Sequence, residues 1–120
     1  LMISRQHRFW GRASIDRVHK QGQVQRGRQL NLKYKPGADN WRLAVVVSKK
    51  VAKSAVTRNR IRRRLFEVVR TEQIQKPYDM LLVVHSAELA TMPAPELQQQ
   101  VRALLLKTQI SGTITPTKER

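Results

Sequence analysis

Lys49–Arg64 reads KKVAKSAVTRNRIRRR, and the way this stretch folds decides how the rest of the chain is arranged. Eight of its sixteen residues are Lys or Arg, and none is Asp or Glu. It follows an apolar run with strand character, Trp41–Ser48, WRLAVVVS. Beyond it the apolar residues change to helical spacing. Ile61, Leu65, Val68 and Val69 stand at i, i+4, i+7 and i+8, which makes one buried stripe. Ser54 is suited to cap such a helix, because its hydroxyl can accept from the first free N–H groups. The spacing predicts a helix from Ser54 to Arg70 or Gln75, stopped ahead of Pro77. One strand end and the first helical turns then share a dense positive charge.

The arginines are placed around that stripe. Arg60, Arg63, Arg64 and Arg70 lie away from it, and Arg58 and Arg62 lie nearer its edge. Arg58/Arg62 and Arg60/Arg64 are i, i+4 neighbours of like charge, which repel unless an anion lies beside them. The alternatives are a solvated face or a basic tail. A tail lacks interleaved apolar periodicity, and guanidinium forks match phosphate oxygens. The pattern favours a nucleic-acid face.

The totals agree. The chain has 120 residues and reads as one domain. Lys and Arg number 24 against 8 Asp and Glu, a net charge of +16, whose self-repulsion favours a polyanionic partner. There is no cysteine, so no disulfide, thiolate metal site or Cys nucleophile. No apolar run approaches the ~20 residues of a membrane span. The first dozen residues, LMISRQHRFWGR, hold no apolar core of a secretory leader, so we expect a cytoplasmic protein without a membrane partner. The eight acids are scattered, and His7, His19 and His85 lack metal-ligand spacing. No Walker, G-x-G-x-x-G or G-x-S-x-G motif occurs. The sequence names no catalytic and no metal-binding residue of its own. Helix-turn-helix, zinc-finger and basic-zipper spacings are missing too, which favours structured RNA over DNA.

The remaining elements follow from pattern. Arg12–Gln21 reads as a short helix closed by Gly22, with Ile15 and Val18 packed inward and His19 on the same side. Arg26–Lys35 reads as a strand in which Leu30, Leu32 and Tyr34 alternate with polar residues. Pro36–Asn40 is a turn, and the expected product is an antiparallel hairpin with Trp41–Ser48. The apolar run of the latter suggests a central strand. Tyr78–His85, YDMLLVVH, is a third strand, and the helix between makes a β-α-β unit with parallel neighbours. Ser86–Pro95 is a loop, Glu96–Lys107 a helix with Leu97, Val101, Leu104 and Leu105 inward, and Ser111–Arg120 a frayed tail. Tyr34 and Trp41 are candidates for stacking on bases, with core packing the plainer fate for Tyr34.

Ser48–Glu67, SKKVAKSAVTRNRIRRRLFE, resembles the signature of the bacterial ribonuclease P protein family: a strand end with two lysines, a short basic connection, then Arg-Asn-Arg opening a helix. The basic first residues, the helix ending at Gly22, Arg28, YDMLLVVH and the closing helix fall in the family's order over about residues 5–108. The resemblance implies an α+β sandwich. This is one domain over residues 1–120 with a mixed four-stranded sheet packed against helices, ordered α-β-β-β-α-β-α, with a left-handed β-α-β crossover. It also implies a short extra strand near Gln23–Gly27, a flexible arm over residues 1–10 and a frayed tail over 111–120.

For function, the resemblance implies the protein subunit of a ribonucleoprotein endonuclease that removes the 5′ leader of precursor tRNA. The RNA subunit would carry out hydrolysis with Mg²⁺ that it binds itself, one protein per RNA. The RNA-binding set would be Lys49, Lys50, Lys53, Arg58, Asn59, Arg60, Arg62, Arg63 and Arg64. A cleft for the leader would be lined by Ile15, His19, Arg28, Asn31 and Lys33. This chain departs from the family pattern there. Ile15 and His19 replace two Phe, Lys33 stands where an aromatic is frequent, and Ala52-Lys53-Ser54 replaces a Gly-Asn pair. His85 stands where Arg is common. An electrostatic grip on the leader through Lys33 and His19 is therefore expected. The alternative is a structural RNA-binding protein of ribosomal type with no substrate role.

Overall fold

The computed structural model describes residues 12–37, 40–72, 74 and 76–108. The expected arm and tail, and Ala38 and Asp39 of the expected turn, lie outside these residues. In chain order the elements are α1 (Arg12–Gln21), β1 (Gln23–Arg26), β2 (Leu30–Pro36), β3 (Arg42–Val46), α2 (Ala55–Thr71), β4 (Tyr78–Val84), a 3₁₀ turn (Ala87–Ala90) and α3 (Ala94–Thr108). The strands form one mixed sheet in the order β1-β2-β4-β3. β1 pairs antiparallel with β2, β2 antiparallel with β4, and β3 parallel with β4.

Three expectations change. The hairpin of β2 with β3 does not form, because β4 lies between them. Crossing two strand spacings takes about 10 Å, and the five residues from Gly37 to Trp41 reach that when extended. Connection length alone therefore did not distinguish the two arrangements. β3 is consequently an edge strand and not a central one. It looked central because both its faces are covered: Leu43 and Val45 by the larger core, Ala44 by α1. Finally, Arg26–Lys35 is not one strand. Gly27 N donates to Leu30 O (3.0 Å), a tight turn that separates β1 from β2. The short strand expected near Gln23–Gly27 is β1.

Helices cover both faces of the sheet. α2 and α3 bury Ile61, Leu65, Val69, Leu97, Val101, Leu104 and Leu105 against Leu30, Leu32, Leu43, Met80 and Leu82. Each such side chain contributes about 1.5–3 kcal/mol through water exclusion. α1 covers part of the other face, where Val18, Ala44 and Leu81 form a smaller cluster with Ile15 and Val83 against it. Gly22 lets α1 stop against β2, since a Cβ there would lie 2.6 Å from Val18 O and 2.9 Å from Tyr34 O. Gly22 N donates to Val18 O (2.9 Å), closing the helix as its position predicts. α2 runs one residue past Arg70, with Glu72 as its extended C-cap. α3 begins two residues before Glu96 and ends one after Lys107.

Candidate nucleic-acid interface

The basic stretch folds as a loop and a helix start that brace each other. Val51 N and Ala52 N both donate to Ser48 O at 3.1 Å, turning the chain at the end of β3. Ser54 caps α2 as expected, its hydroxyl accepting from Val56 N (3.2 Å) and Thr57 N (3.4 Å). Arg58 reaches back along the helix and donates to Ala52 O and Lys53 O, both at 2.9 Å. The loop that carries Lys49, Lys50 and Lys53 is thus fixed to the first turn of α2.

The nine expected RNA-binding residues divide by what they touch. Lys49, Lys50, Lys53, Arg60 and Arg63 are exposed, and no hydrogen bond or ion pair engages their side chains among the described residues. Arg58 is occupied by loop carbonyls. Arg62 donates to Asn59 Oδ1. Arg64 donates to Leu89 O (2.7 Å) and to Met92 O, tying α2 to the segment ahead of α3. Along the helix, Val56, Arg60, Arg63, Glu67 and Arg70 recur at i, i+4, i+7, i+11 and i+14, one outward face. Sequence reasoning missed Val56, which is 71% exposed in the midst of this charge. Its helical offset of four from Arg60 is the signal that was available. At the far end Glu67 pairs with Arg70, whose hydrogen bonds hold the carboxyl below its ordinary value. Along this face the cationic side chains without a partner among the described residues therefore lie in the loop and the first turns of α2.

The expected leader residues are partly brought together. On the sheet face that α1 covers, the pairing aligns Val24, Lys33, Leu81 and Ala44 in one row and Arg26, Asn31, Val83 and Val46 in the next. α1 lies over the first row. The Lys33 ammonium meets His19 Nδ1, and Lys35 Nζ donates to Gln21 Oε1 (3.1 Å). The second row is less covered, with Val46 exposed and Val24 exposed beside it. These valines form an aliphatic floor that the sequence reading did not name. Asn31 Oδ1 accepts from Gly27 N (3.2 Å), bracing the β1–β2 turn. Ile15 is partly buried in the smaller cluster. Arg28 stands apart from the others. It lines a groove with Pro93, Pro95, Glu96, Gln99, Gln100 and Ala103, against α3 and not α1. Neither stacking candidate serves this face. Tyr34 is in the larger core, edge-on to Tyr78 with centroids 5.7 Å apart, and Trp41 packs against the same core.

Other acids are engaged in holding the fold. Asp79 takes Arg42 Nε (2.8 Å) and Nη2 (2.9 Å), across the β3–β4 pair, a contact that raises the Arg42 pKa. Glu72, 4% exposed, takes Arg102 Nε (3.1 Å) and Nη2 (3.0 Å) and Gln98 (3.1 Å) from α3. Among the described residues no group of three or more His, Cys, Asp or Glu could hold a metal ion. Among them, too, no helix is long and apolar enough to cross a membrane.

Fold and site together define a class: a single α+β domain whose mixed sheet presents a compact cationic loop and helix start. The family model for ribonuclease P matches residues 3–109, and the chain belongs to that family of proteins. It is 48% identical over 86 residues to the ribonuclease P protein component of Thermus scotoductus, covering 71% of this chain and 51% of that one. The chain thus spans about half the length of this relative. It is 35% identical over 115 residues to the ribonuclease P protein component of a Synechococcus strain, covering 91% of this chain and 86% of that one. Among solved structures, the Staphylococcus aureus ribonuclease P protein superposes with a TM-score of 0.75 at 25% identity, covering 88% of this chain and 97% of that one.

Proposed function

We propose that the chain acts as the protein subunit of ribonuclease P in the cytoplasm. In this reading it binds the catalytic RNA, one protein per RNA, and the 5′ leader of precursor tRNA, and it assists removal of the leader. The observation that carries the reading is the outward set Lys49, Lys50, Lys53, Arg60 and Arg63 on a family fold, engaged by nothing else among the described residues. Phosphate contacts by such groups fix position and register without reading sequence. The residues described here do not fit a protein-held Mg²⁺. The ion belongs to the RNA in this reading, and no chemical step is assigned to a side chain of this protein.

Lys33, His19 and Lys35 on the α1 side support a grip on leader phosphates, and Val24, Val46 and Val83 offer an apolar floor to its bases. The deciding experiment measures 5′-leader cleavage of a precursor tRNA by a bacterial ribonuclease P RNA at low Mg²⁺, with and without the protein. Stimulation by the wild type that disappears with Arg60→Ala/Arg63→Ala supports the reading. Tight RNA binding without stimulation would replace it by a purely structural RNA-binding role. Lys33→Ala adds the leader test: it should weaken binding of precursor tRNA more than of mature tRNA, whereas an equal effect on both removes Lys33 from the leader site.

A further inference from the structure

An open groove of about 470 Å³ runs between α2 and the start of α3, lined by Arg63, Arg64, Glu67, Val68, Ala94 and Leu97. Its floor is aliphatic: Leu97 is fully buried beneath it, and Val68 packs on the larger core. Its lip on one side is Arg63, which also belongs to the outward face of α2. Its far wall is held in place by Arg64, whose guanidinium takes the carbonyls of Leu89 and Met92 just ahead of α3. The one acid in it, Glu67, is already paired with Arg70.

From this we infer that the groove receives a single unpaired nucleotide of the RNA subunit, its base lying on Val68, Ala94 and Leu97 and its phosphate meeting Arg63. The inference rests on the RNA-binding reading above and extends it to a specific subsite. Three features select this occupant. The groove is continuous, through Arg63, with the cationic face, so a strand crossing Arg60 and Arg63 arrives at its mouth. Its volume has room for one nucleotide. An apolar floor beside an unpaired guanidinium matches a base with its phosphate, since the face of the base loses water against aliphatic side chains while the phosphate oxygens meet the guanidinium fork. The Glu67 carboxylate keeps acceptor capacity beside its pairing with Arg70, so it can accept from an exocyclic amine of the base. That makes uridine, which has none, the poorest occupant.

The test uses the absence of cysteine from the chain. In Ala94→Cys the single thiol can be modified with an aryl maleimide, filling the groove in a protein already folded. Ala103→Cys, on the part of α3 that faces the Arg28 groove, is the labelled control, and Arg60→Ala reports on the RNA face itself. Binding to an in vitro transcribed ribonuclease P RNA is measured over a range of salt. The expected result is that labelled Ala94→Cys loses about tenfold or more in affinity, the equivalent of about 50 Å² of base surface no longer buried at about 25 cal/mol per Å², with its salt slope lowered by about 0.7–0.9 for the one phosphate no longer at Arg63. Unlabelled Ala94→Cys and labelled Ala103→Cys should bind as the wild type. If Arg60→Ala weakens binding and the label at 94 does not, or if labels at 94 and 103 weaken it equally, the groove is not a nucleotide site. If Arg60→Ala leaves affinity unchanged, it is the RNA-binding face that fails.

Discussion

Arg58, Asn59 and Arg60 stand in one turn of α2 and do three different things. Arg58 holds loop carbonyls, Asn59 accepts from Arg62, and Arg60 faces outward with no partner among the described residues. Arg58→Ala should therefore lower stability by about 1 kcal/mol, read as a fall in Tm, and weaken RNA binding only by loosening the loop. Arg60→Ala should leave Tm unchanged and flatten the salt dependence by about 0.7–0.9 in the slope of log K against log salt. A drop in Tm for Arg60→Ala, or an equal slope change for both variants, would contradict this division. The sequence made the charge of this turn plain, and the helical offsets already put Arg58 nearer the buried stripe. What it could not give was the carbonyl at the end of each guanidinium. Arg64 shows the limit: its offset put it outward, but its partners come from residues 89 and 92, a separation in sequence that no periodicity reports.

Among the elements, α2 and α3 were legible almost to the residue, because a cap, an apolar stripe and a proline mark their ends. The order of the strands was not. β2 and β3 are both amphipathic enough to pair with each other, and only the tertiary fold places β4 between them. The packing of the helices depends on a buried carboxylate that the sequence showed merely as one scattered acid. Glu72 joins the end of α2 to Arg102 and Gln98 of α3, and this contact raises the Arg102 pKa. Arg102→Met leaves that carboxylate buried with Gln98 alone, and should cost about 1–3 kcal/mol. Replacing both partners, Glu72→Met with Arg102→Met, should recover most of the loss, because the desolvated charge goes with its partner. Thermal denaturation of the two singles and the double checks this, and additive losses would rule it out. Ser54→Ala should cost about 1 kcal/mol through the lost cap, measurable in the same way.

Over the whole molecule, the net charge of +16 is unevenly distributed. Asp79, Glu72 and Glu67 are engaged in ion pairs away from the Lys49–Ser54 loop. Composition pointed to a polyanionic partner, while the face proposed to meet it became visible only once those acids were located. If Lys49, Lys50, Lys53, Arg60 and Arg63 each meet one phosphate, log K should fall against log salt with a slope of about −3.5 to −4.5. Stability of the free protein should move the other way. Salt screens self-repulsion, so Tm should rise as salt is raised from low levels towards 0.3 M, on the order of a Debye length below 8 Å. Calorimetry and filter binding on one preparation compare the two trends. A Tm that falls with added salt would mean that favourable ion pairs outweigh repulsion.

The strand order also sets a schedule. In the four-stranded sheet β3 pairs with β4, and β4 comes from residues 78–84, after the whole of the cationic helix. As the chain is made, β1 and β2 can close early as a hairpin, but β3 and the apolar side of α2 have no sheet to settle on until Val84 is available. The sheet therefore closes late and in one step, around a strand that must insert between two others, and such non-local pairing is slow. During that interval the most basic part of the chain is already synthesised but not yet packed. A nascent chain halted before Tyr78 would carry the charge of the mature protein without the fold that orients it.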